Sequence, residues 1–348
     1  MDKKVRVAIN GFGRIGRAFY KLARTEPSIE VVIVNDLGDA ATMAYLLKYD
    51  STYGRSDFAV TFVPPGGSED AGFLVDGKKI ILIQEKDPTK LPWAKYEIDI
   101  VVESTGFYTA YDKAKVHLDS GAKRVVITAP VKGPHVDGVV GETVLMGINQ
   151  EKLATSQISS NASCTTNAVS SVMYILNQTI GIEKAILNTT HAYTASQRLI
   201  DSPAGKDLRE GRAAAMNMVP SSTGAAIAVT EALTDLKGKF DGISVRVPVI
   251  AGSIADVTFI SKRNTTAEEV KQILRDAAKD PKWEGIYTAT DEPLVSSDIK
   301  GQRYGAIVDL EMTRVVDGNL VKVMSWYDNE MGYTNTLVRH VVEVAKFI

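Results

Sequence analysis

The chain has 348 residues, enough for about two domains of ordinary size. Hydrophobic residues make up 45% and charged residues 24%, a globular balance, and 40 Lys plus Arg against 42 Asp plus Glu leave a net charge of −2, which argues against a dedicated nucleic-acid site. No apolar run is long enough for a membrane span, and Val5–Ile9 is too short for a secretory signal, so a cytoplasmic setting without membrane association is expected. In chain order, Val5–Asn10 is a compact apolar run ending in glycines, the pattern of a buried parallel strand. Residues 14–25 place Ile15, Ala18, Phe19, Leu22 and Ala23 at helical spacing. Ile29–Asn35 is a second strand, completing a βαβ unit. Residues 60–63 and 79–83 read as strands, the second preceded by an Asp76-Gly77 turn. Residues 98–102 and 124–128 are further strands, with a helix over 110–120 between them.

The pattern changes after about residue 160. Strand-like runs cover residues 184–189, 242–249, 255–261, 306–313 and 320–326. Several alternate in polarity, which suits a largely antiparallel sheet with one covered face. Helical spacing recurs over residues 266–279 and 334–348. The expected fold is α/β: an N-terminal doubly wound Rossmann-type sheet, plus a catalytic α+β domain with a mainly antiparallel sheet. The expected boundaries are 1–162, completed by a C-terminal helix over 331–348, and 163–330.

Gly11-Phe12-Gly13-Arg14-Ile15-Gly16 is a G-x-G-x-x-G between a predicted strand and a predicted helix, the context of a dinucleotide site. Gly11 allows the tight turn, Gly13 lets a pyrophosphate approach the backbone, and Gly16 lets the helix sit close. Asp36 ends the second strand, where a carboxylate accepts hydrogen bonds from the adenosine ribose and repels a 2′-phosphate. NAD is therefore expected over NADP.

There is one cysteine, Cys164, so no intrachain disulfide and no multi-cysteine metal site can form. The four histidines are widely spaced and include no H-x-x-x-H pair, so no metal is expected. Cys164 stands just before an apolar helical run, in Ser160-Asn161-Ala162-Ser163-Cys164-Thr165-Thr166-Asn167. Ser163 or a neighbour is expected to cap that helix. Helix N-terminal N–H groups lower a thiol pKa and can hold an oxyanion, so a thiol pKa well below the free value of about 8.5 is expected. A lone cysteine is more often a small buried hydrophobe, but the flanking hydroxyls argue for a site. His191, after a strand-like run, is the candidate partner. His117, His135 and His340 suggest no chemistry.

Five motifs together resemble the phosphorylating glyceraldehyde-3-phosphate dehydrogenase family, over nearly the whole chain. They are Ile9–Arg17, Leu46–Ser51, Ser163–Asn167, Ser222–Ala226 and Trp326–Glu330. The resemblance implies a reversible oxidation of glyceraldehyde 3-phosphate to 1,3-bisphosphoglycerate, with NAD and inorganic phosphate. It implies that Cys164 attacks the aldehyde, that His191 is the base, and that a thioester forms. It places Thr194 and Arg246 at the substrate phosphate, and Ser163, Thr165, Thr223 and Gly224 at the attacking phosphate. Arg209 or Arg212 could assist. For the cofactor it adds Arg14, Ile15, Lys86, Thr128, Asn329 and Tyr333.

Two departures stand out. Lys86 replaces the usual arginine and loses its forked geometry. Ser202-Pro203 mixes the patterns of NAD-using and NADP-using members, and Gly38 is small, so modest NADP use is compatible with the sequence. The resemblance implies a homotetramer, with residues 200–212 at subunit contacts. The nearest alternative is erythrose-4-phosphate dehydrogenase, which the Thr223-Gly224 pair disfavours. Remoter ones are a semialdehyde dehydrogenase and a non-catalytic dinucleotide- or RNA-binding module. The loop Pro64–Asp70 suggests no function.

Overall fold

The computed structural model describes residues 4–66, 70–131, 133, 135–205 and 207–348. Residues 67–69 of the Pro64–Asp70 loop lie outside the described residues. The chain forms two compact units: Met1–Val144, Gln150–Ala162 and Leu337–Ile348, and Leu145–Asn149 and Ser163–Thr336.

The first unit carries β1 (Val5–Asn10), β2 (Ile29–Asn35), a short ribbon of β3 (Tyr49–Asp50) and β4 (Gly54–Arg55), then β5 (Val60–Val63), β6 (Gly72–Val75), β7 (Lys78–Ile83), β8 (Ile100–Glu103), β9 (Arg124–Ile127), β10 (Gly141–Thr143) and β11 (Ile158–Ser160). Its main sheet runs β10-β11-β9-β8-β1-β2-β7-β6-β5. The ladders from β10 across to β7 are parallel, while β6 and β5 add an antiparallel edge. Helices α1 (Arg14–Ala23), α2 (Ala40–Lys48) and α3 (Tyr111–Asp119) pack on this sheet. Val7, Ile9, Ile33, Val101 and Val126 are buried. Full burial of such aliphatic side chains contributes about 1.5–3 kcal/mol each, which is why these runs choose the sheet interior. From β1 the chain passes through α1 to β2 on one side, while β8 pairs β1 on the other. That makes the carboxyl end of β1 a topological switch point, where a crevice opens.

The second unit carries β12 (Ile182–Ala192), β13 (Val219–Ser222), β14 (Phe240–Val247), β15 (Ser253–Ser261), β16 (Tyr287–Thr290), β17 (Ala306–Val316) and β18 (Leu320–Tyr327), in the order β13-β14-β12-β15-β18-β17-β16. Pairing is antiparallel except β12 with β14 and β16 with β17. Along β15, buried and half-buried residues alternate, the signature of one covered face. Helices α4 (Cys164–Thr179), α5 (Ala225–Ala232) and α6 (Ala267–Ala277) pack together, each also against strands of this sheet. A single turn, α7 (Ser296–Ile299), precedes β17, and α8 (Met331–Ala345) closes the chain. The short strands β3, β4, β6, β10, β11, β13 and β16, and helices α2, α5 and α7, are absent from the sequence prediction. Strands so short show no period, so pairing decides them. Helix α5 is an almost wholly apolar octet, Ala225–Ala232, with no amphipathic stripe to reveal it.

Candidate active site

Two constellations stand out, one in each unit. In the first unit, a cavity of about 710 Å³ opens at the switch point. Gly11, Gly13, Asp36 and Lys86 line it, with Asn10, Asn35, Leu37, Phe107 and Tyr108 among their neighbours. Gly11 has φ +95°, and a Cβ there would lie 2.7 Å from the backbone of Ser104. At Gly16 a Cβ would meet the carbonyl oxygen of Gly11 at 2.2 Å. No other residue fits those two positions. Beyond Gly13 nothing lies within 4 Å, leaving room for a ligand at the start of α1. Asp36 is held in place by the N–H groups of Phe12 (2.6 Å) and Gly38 (2.8 Å). Open space at a helix N-terminus, a fixed carboxylate and the apolar Leu37 and Phe107 fit a dinucleotide. Arg14 donates to Asp50 at 3.3 Å, and Ile15 is half-buried in α1; neither is among the cavity-lining residues. Thr128 donates its N–H to the Glu103 carbonyl, also away from that lining.

In the second unit, Ser163 caps α4: its Oγ accepts from the Thr166 N–H at 3.1 Å. Losing such a cap costs about 1 kcal/mol. Cys164, half-buried, is thereby set in the first turn. The parallel register of β12 and β14 pairs His191 with Arg246. His191 Nε2 lies 3.4 Å from Cys164 Sγ. Its Nδ1 lies 2.6 Å from the Ala192 carbonyl, an acceptor only; in the tautomer that points the Nδ1 proton at this carbonyl, Nε2 offers its lone pair to the thiol. Arg246 Nη1 lies against the same Nδ1 and donates to the Ala192 carbonyl at 3.4 Å. Burial first, then the Arg246 charge, pushes His191 down to about 3. The Cys164 thiol is pushed up by burial, opposed by Arg246 and by hydrogen bonding involving Thr165. This reverses the expected lowering: the helix terminus and the cation are present, but the cost of desolvating a thiolate exceeds them. Burial thus favours the neutral form of each partner in this 3.4 Å contact.

The hydroxyls flanking Cys164 are not exposed. Thr165 is 4% exposed, and its Oγ1 lies 2.8 Å from Tyr327 OH. Tyr327 OH lies 2.8 Å from Thr189 Oγ1 as well, and its ring meets the His191 ring edge-on at 5.9 Å. No role for Tyr327 was legible in the sequence. Its signal was membership of the same Trp326–Glu330 motif as Asn329. Asn329 Oδ1 accepts from Ser253 Oγ at 3.1 Å, and Ser253 Oγ accepts from the Ala192 N–H at 3.1 Å, a chain that ends beside His191. Tyr333 is buried on α8.

Thr194 Oγ1 lies 3.1 Å from Ser196 Oγ. Thr223 Oγ1 accepts from the Ala225 N–H at 3.2 Å, and exposed Gly224 stands at the start of α5. Arg209 is paired with Asp207 and Arg212 with Asp201, so neither guanidinium is drawn toward the thiol. Among the described residues, no cluster of three or more His, Cys, Asp or Glu could hold a metal.

Comparison with known proteins decides the family. Residues 5–111 match the model for the NAD-binding domain of glyceraldehyde 3-phosphate dehydrogenase, and residues 163–329 match the model for its C-terminal domain. The chain belongs to the glyceraldehyde-3-phosphate dehydrogenase family. It is 44% identical over 345 residues to the glyceraldehyde-3-phosphate dehydrogenase of Zymomonas mobilis, spanning 98% of this chain and 99% of that one. It is 45% identical to that of Borreliella burgdorferi, over 96% of this chain and 98% of that one. It is 44% identical to that of Geobacillus stearothermophilus, over 99% and 98% respectively. Membership makes the chain an NAD-dependent oxidoreductase. Among the described residues, no helix is long and apolar enough to cross a membrane.

Proposed function

We propose that the chain oxidises D-glyceraldehyde 3-phosphate reversibly to 1,3-bisphosphoglycerate with inorganic phosphate and NAD. The observation that carries this reading is the Cys164 Sγ–His191 Nε2 contact of 3.4 Å in a chain of this family. Cys164 sulfur attacks the aldehyde carbon as His191 Nε2 takes the thiol proton and returns it to the carbonyl oxygen, giving a thiohemiacetal. NAD, when bound, accepts the hydride from that carbon. His191 takes the hydroxyl proton, and a thioester remains on Cys164. A phosphate oxygen then attacks the thioester carbonyl, the C–S bond breaks, and the acyl phosphate leaves with the thiol restored. The thioester conserves the free energy of oxidation for the phosphoanhydride, so water must be excluded while it lasts.

Arg246, half-buried beside His191, suits the substrate phosphate as a forked cation. Ser163, Thr165, Thr194, Thr223 and Gly224 supply hydroxyls and an N–H for the two phosphates. Thr165 would exchange its Tyr327 partner in doing so. Gly11, Gly13, Arg14, Ile15, Gly16, Asp36, Lys86 and Thr128 are assigned to the cofactor, with Asn329 and Tyr333 at its nicotinamide end. Residues 1–162 with 331–348 form the NAD-binding domain, and 163–330 the catalytic domain. The working form is a cytoplasmic homotetramer; Leu199, Ile200 and Leu208, exposed and apolar in a single chain, are consistent with a subunit contact there.

The test is NADH formation from NAD and glyceraldehyde 3-phosphate, with and without phosphate or arsenate. Sustained turnover only with the anion is expected, and without it a burst near one equivalent per site. Turnover indifferent to the anion would overturn the phosphorolysis step. A clearly higher kcat/KM for erythrose 4-phosphate would reassign the substrate.

A further inference from the structure

We propose that His117 is a positioning residue for the dinucleotide pocket, acting through the Glu103 carboxylate. The inference rests on the reading that this pocket takes NAD. His117, on α3, is fully buried, and Glu103, at the end of β8, is 1% exposed. Trp93 Nε1–H donates to His117 Nδ1 at 3.1 Å. An indole N–H only donates and a carboxylate only accepts, so the imidazole has one workable arrangement. Its Nε2–H donates to Glu103 Oε2 at 2.9 Å.

The same carboxylate carries the floor of the pocket. Oε2 also accepts from Asn10 Nδ2 at 2.6 Å, and Oε1 accepts from the Thr105 N–H at 2.8 Å and from the Thr105 hydroxyl. Asn10 Oδ1 accepts from Asn35 Nδ2 at 2.8 Å, and Asn35 Oδ1 accepts from the Glu85 N–H at 2.8 Å. Thr105, Asn10, Asn35 and Glu85 all line the pocket, while His117 does not. A second route runs through Tyr108, another lining residue, whose ring meets His117 edge-on at 5.6 Å. The network thus joins α3 to the carboxyl ends of β8, β1 and β2, the three adjacent strands that frame the crevice.

A buried carboxylate oxygen that loses a donor is left with an unmet hydrogen-bonding demand. Removing the His117 donor makes Glu103 recruit a replacement. Asn10 and Thr105, which line the pocket and already donate to Glu103, are the groups that a shift of the carboxylate would carry with it. The consequence falls on cofactor affinity and leaves the thiol chemistry alone.

The test compares His117→Leu and His117→Gln with the wild-type chain. NAD binding is followed by calorimetry, KM for NAD and kcat by turnover, and Tm by heating. His117→Leu is expected to raise the NAD Kd and KM tenfold or more, with kcat at saturating NAD within twofold. His117→Gln keeps a donor for Glu103 and an acceptor for Trp93, and is expected to stay within threefold of wild type. An NAD Kd within twofold in His117→Leu, whatever its Tm, overturns the proposal; so does equal weakening in both variants. Should His117→Leu fail to fold, Trp93→Phe removes only the indole donor. A threefold or larger rise in Kd then supports the proposal, and an unchanged Kd overturns it. Wild type failing to bind NAD would overturn the pocket assignment and the inference together, an outcome distinct from wild type binding and the variants matching it.

Discussion

Two buried histidines, one in each unit, face opposite charges. His117 meets the Glu103 carboxylate and the Trp93 indole, and both of its ring nitrogens are committed. His191 meets the Arg246 guanidinium and leaves Nε2 toward a thiol. The first is locked into one tautomer and can only hold a neighbour in place. The second is a proton acceptor whose charged form is discouraged by burial and by a cation, so a proton it takes is readily returned. Both histidines are nearly inaccessible to solvent, so burial does not separate a structural imidazole from a working one. What separates them is whether a ring nitrogen remains for an exchangeable partner.

The largest effects should follow from breaking the second arrangement. Cys164→Ser is expected to lower kcat by about 10⁴-fold or more, and His191→Asn by about 10²–10⁴-fold, measured as NADH formation at saturating substrates. A loss below tenfold in His191→Asn would remove it from the role of base. Arg246→Leu tests the cation. Loss of one charge-assisted contact to the substrate phosphate should raise KM for the aldehyde about 10–100-fold. Without the guanidinium that opposes burial, the alkylation rate of Cys164 should inflect at a higher pH than in wild type. An inflection unmoved, or moved down, would show that Arg246 does not act on the thiol.

A third buried histidine sharpens the comparison through stability. His340, on α8, lies 2.7 Å from Ser159 Oγ and 3.2 Å from Asn161 Oδ1, and has no ion-pair partner among the described residues. Burial pushes it down to about 3, from an ordinary value of 6.5. The folded value lies below the unfolded one, so the unfolded chain binds this proton first as pH falls. The stabilising contribution is present above pH 6.5 and is lost progressively as pH drops from there toward 3. At pH 5 the loss is about 2 kcal/mol. In denaturant titrations at pH 7 and pH 5, His340→Gln should show a smaller acid loss than wild type by about that amount. Equal losses would place the acid sensitivity elsewhere, with His191, which burial also pushes down to about 3, the next imidazole to examine.

Legibility differed between the two constellations for a physical reason. The dinucleotide turn is local. Gly11, Gly13 and Gly16 act within six residues, and the steric demand on Gly11 and Gly16 is written in their lack of a Cβ. Asp36 was readable because it ends the next strand. The thiol site is non-local. Cys164 could be placed at a helix start from its neighbours, and Ser163 caps that helix. Sequence spacing alone could not bring His191 to it, nor Arg246 to His191, which are 55 residues apart. Arg246 entered the sequence reading only through the family resemblance, since nothing in its neighbours Ser244, Val245, Val247 and Pro248 marks a site. The direction of the Cys164 pKa was misjudged because burial is a property of the folded surroundings. Tyr327 was passed over because a tyrosine between a tryptophan and an aspartate carries no mark of the hydroxyls it will bridge.

Taken by itself, the sequence determined the alternation of strands and helices, the glycine turn, the acidic end of β2, the helix that opens at Cys164 and the family. Each depends on steric or hydrogen-bonding requirements satisfied within a few residues, or on motifs contiguous along the chain. The tertiary structure alone decided that the β12–β14 register sets His191 beside Arg246, that Tyr327 joins Thr165 to Thr189, and that Glu103 gathers Asn10, Thr105 and His117 under the pocket. Those arrangements come from pairing and burial between segments far apart in sequence, where closing the chain and desolvating charge decide the outcome and no local pattern records it.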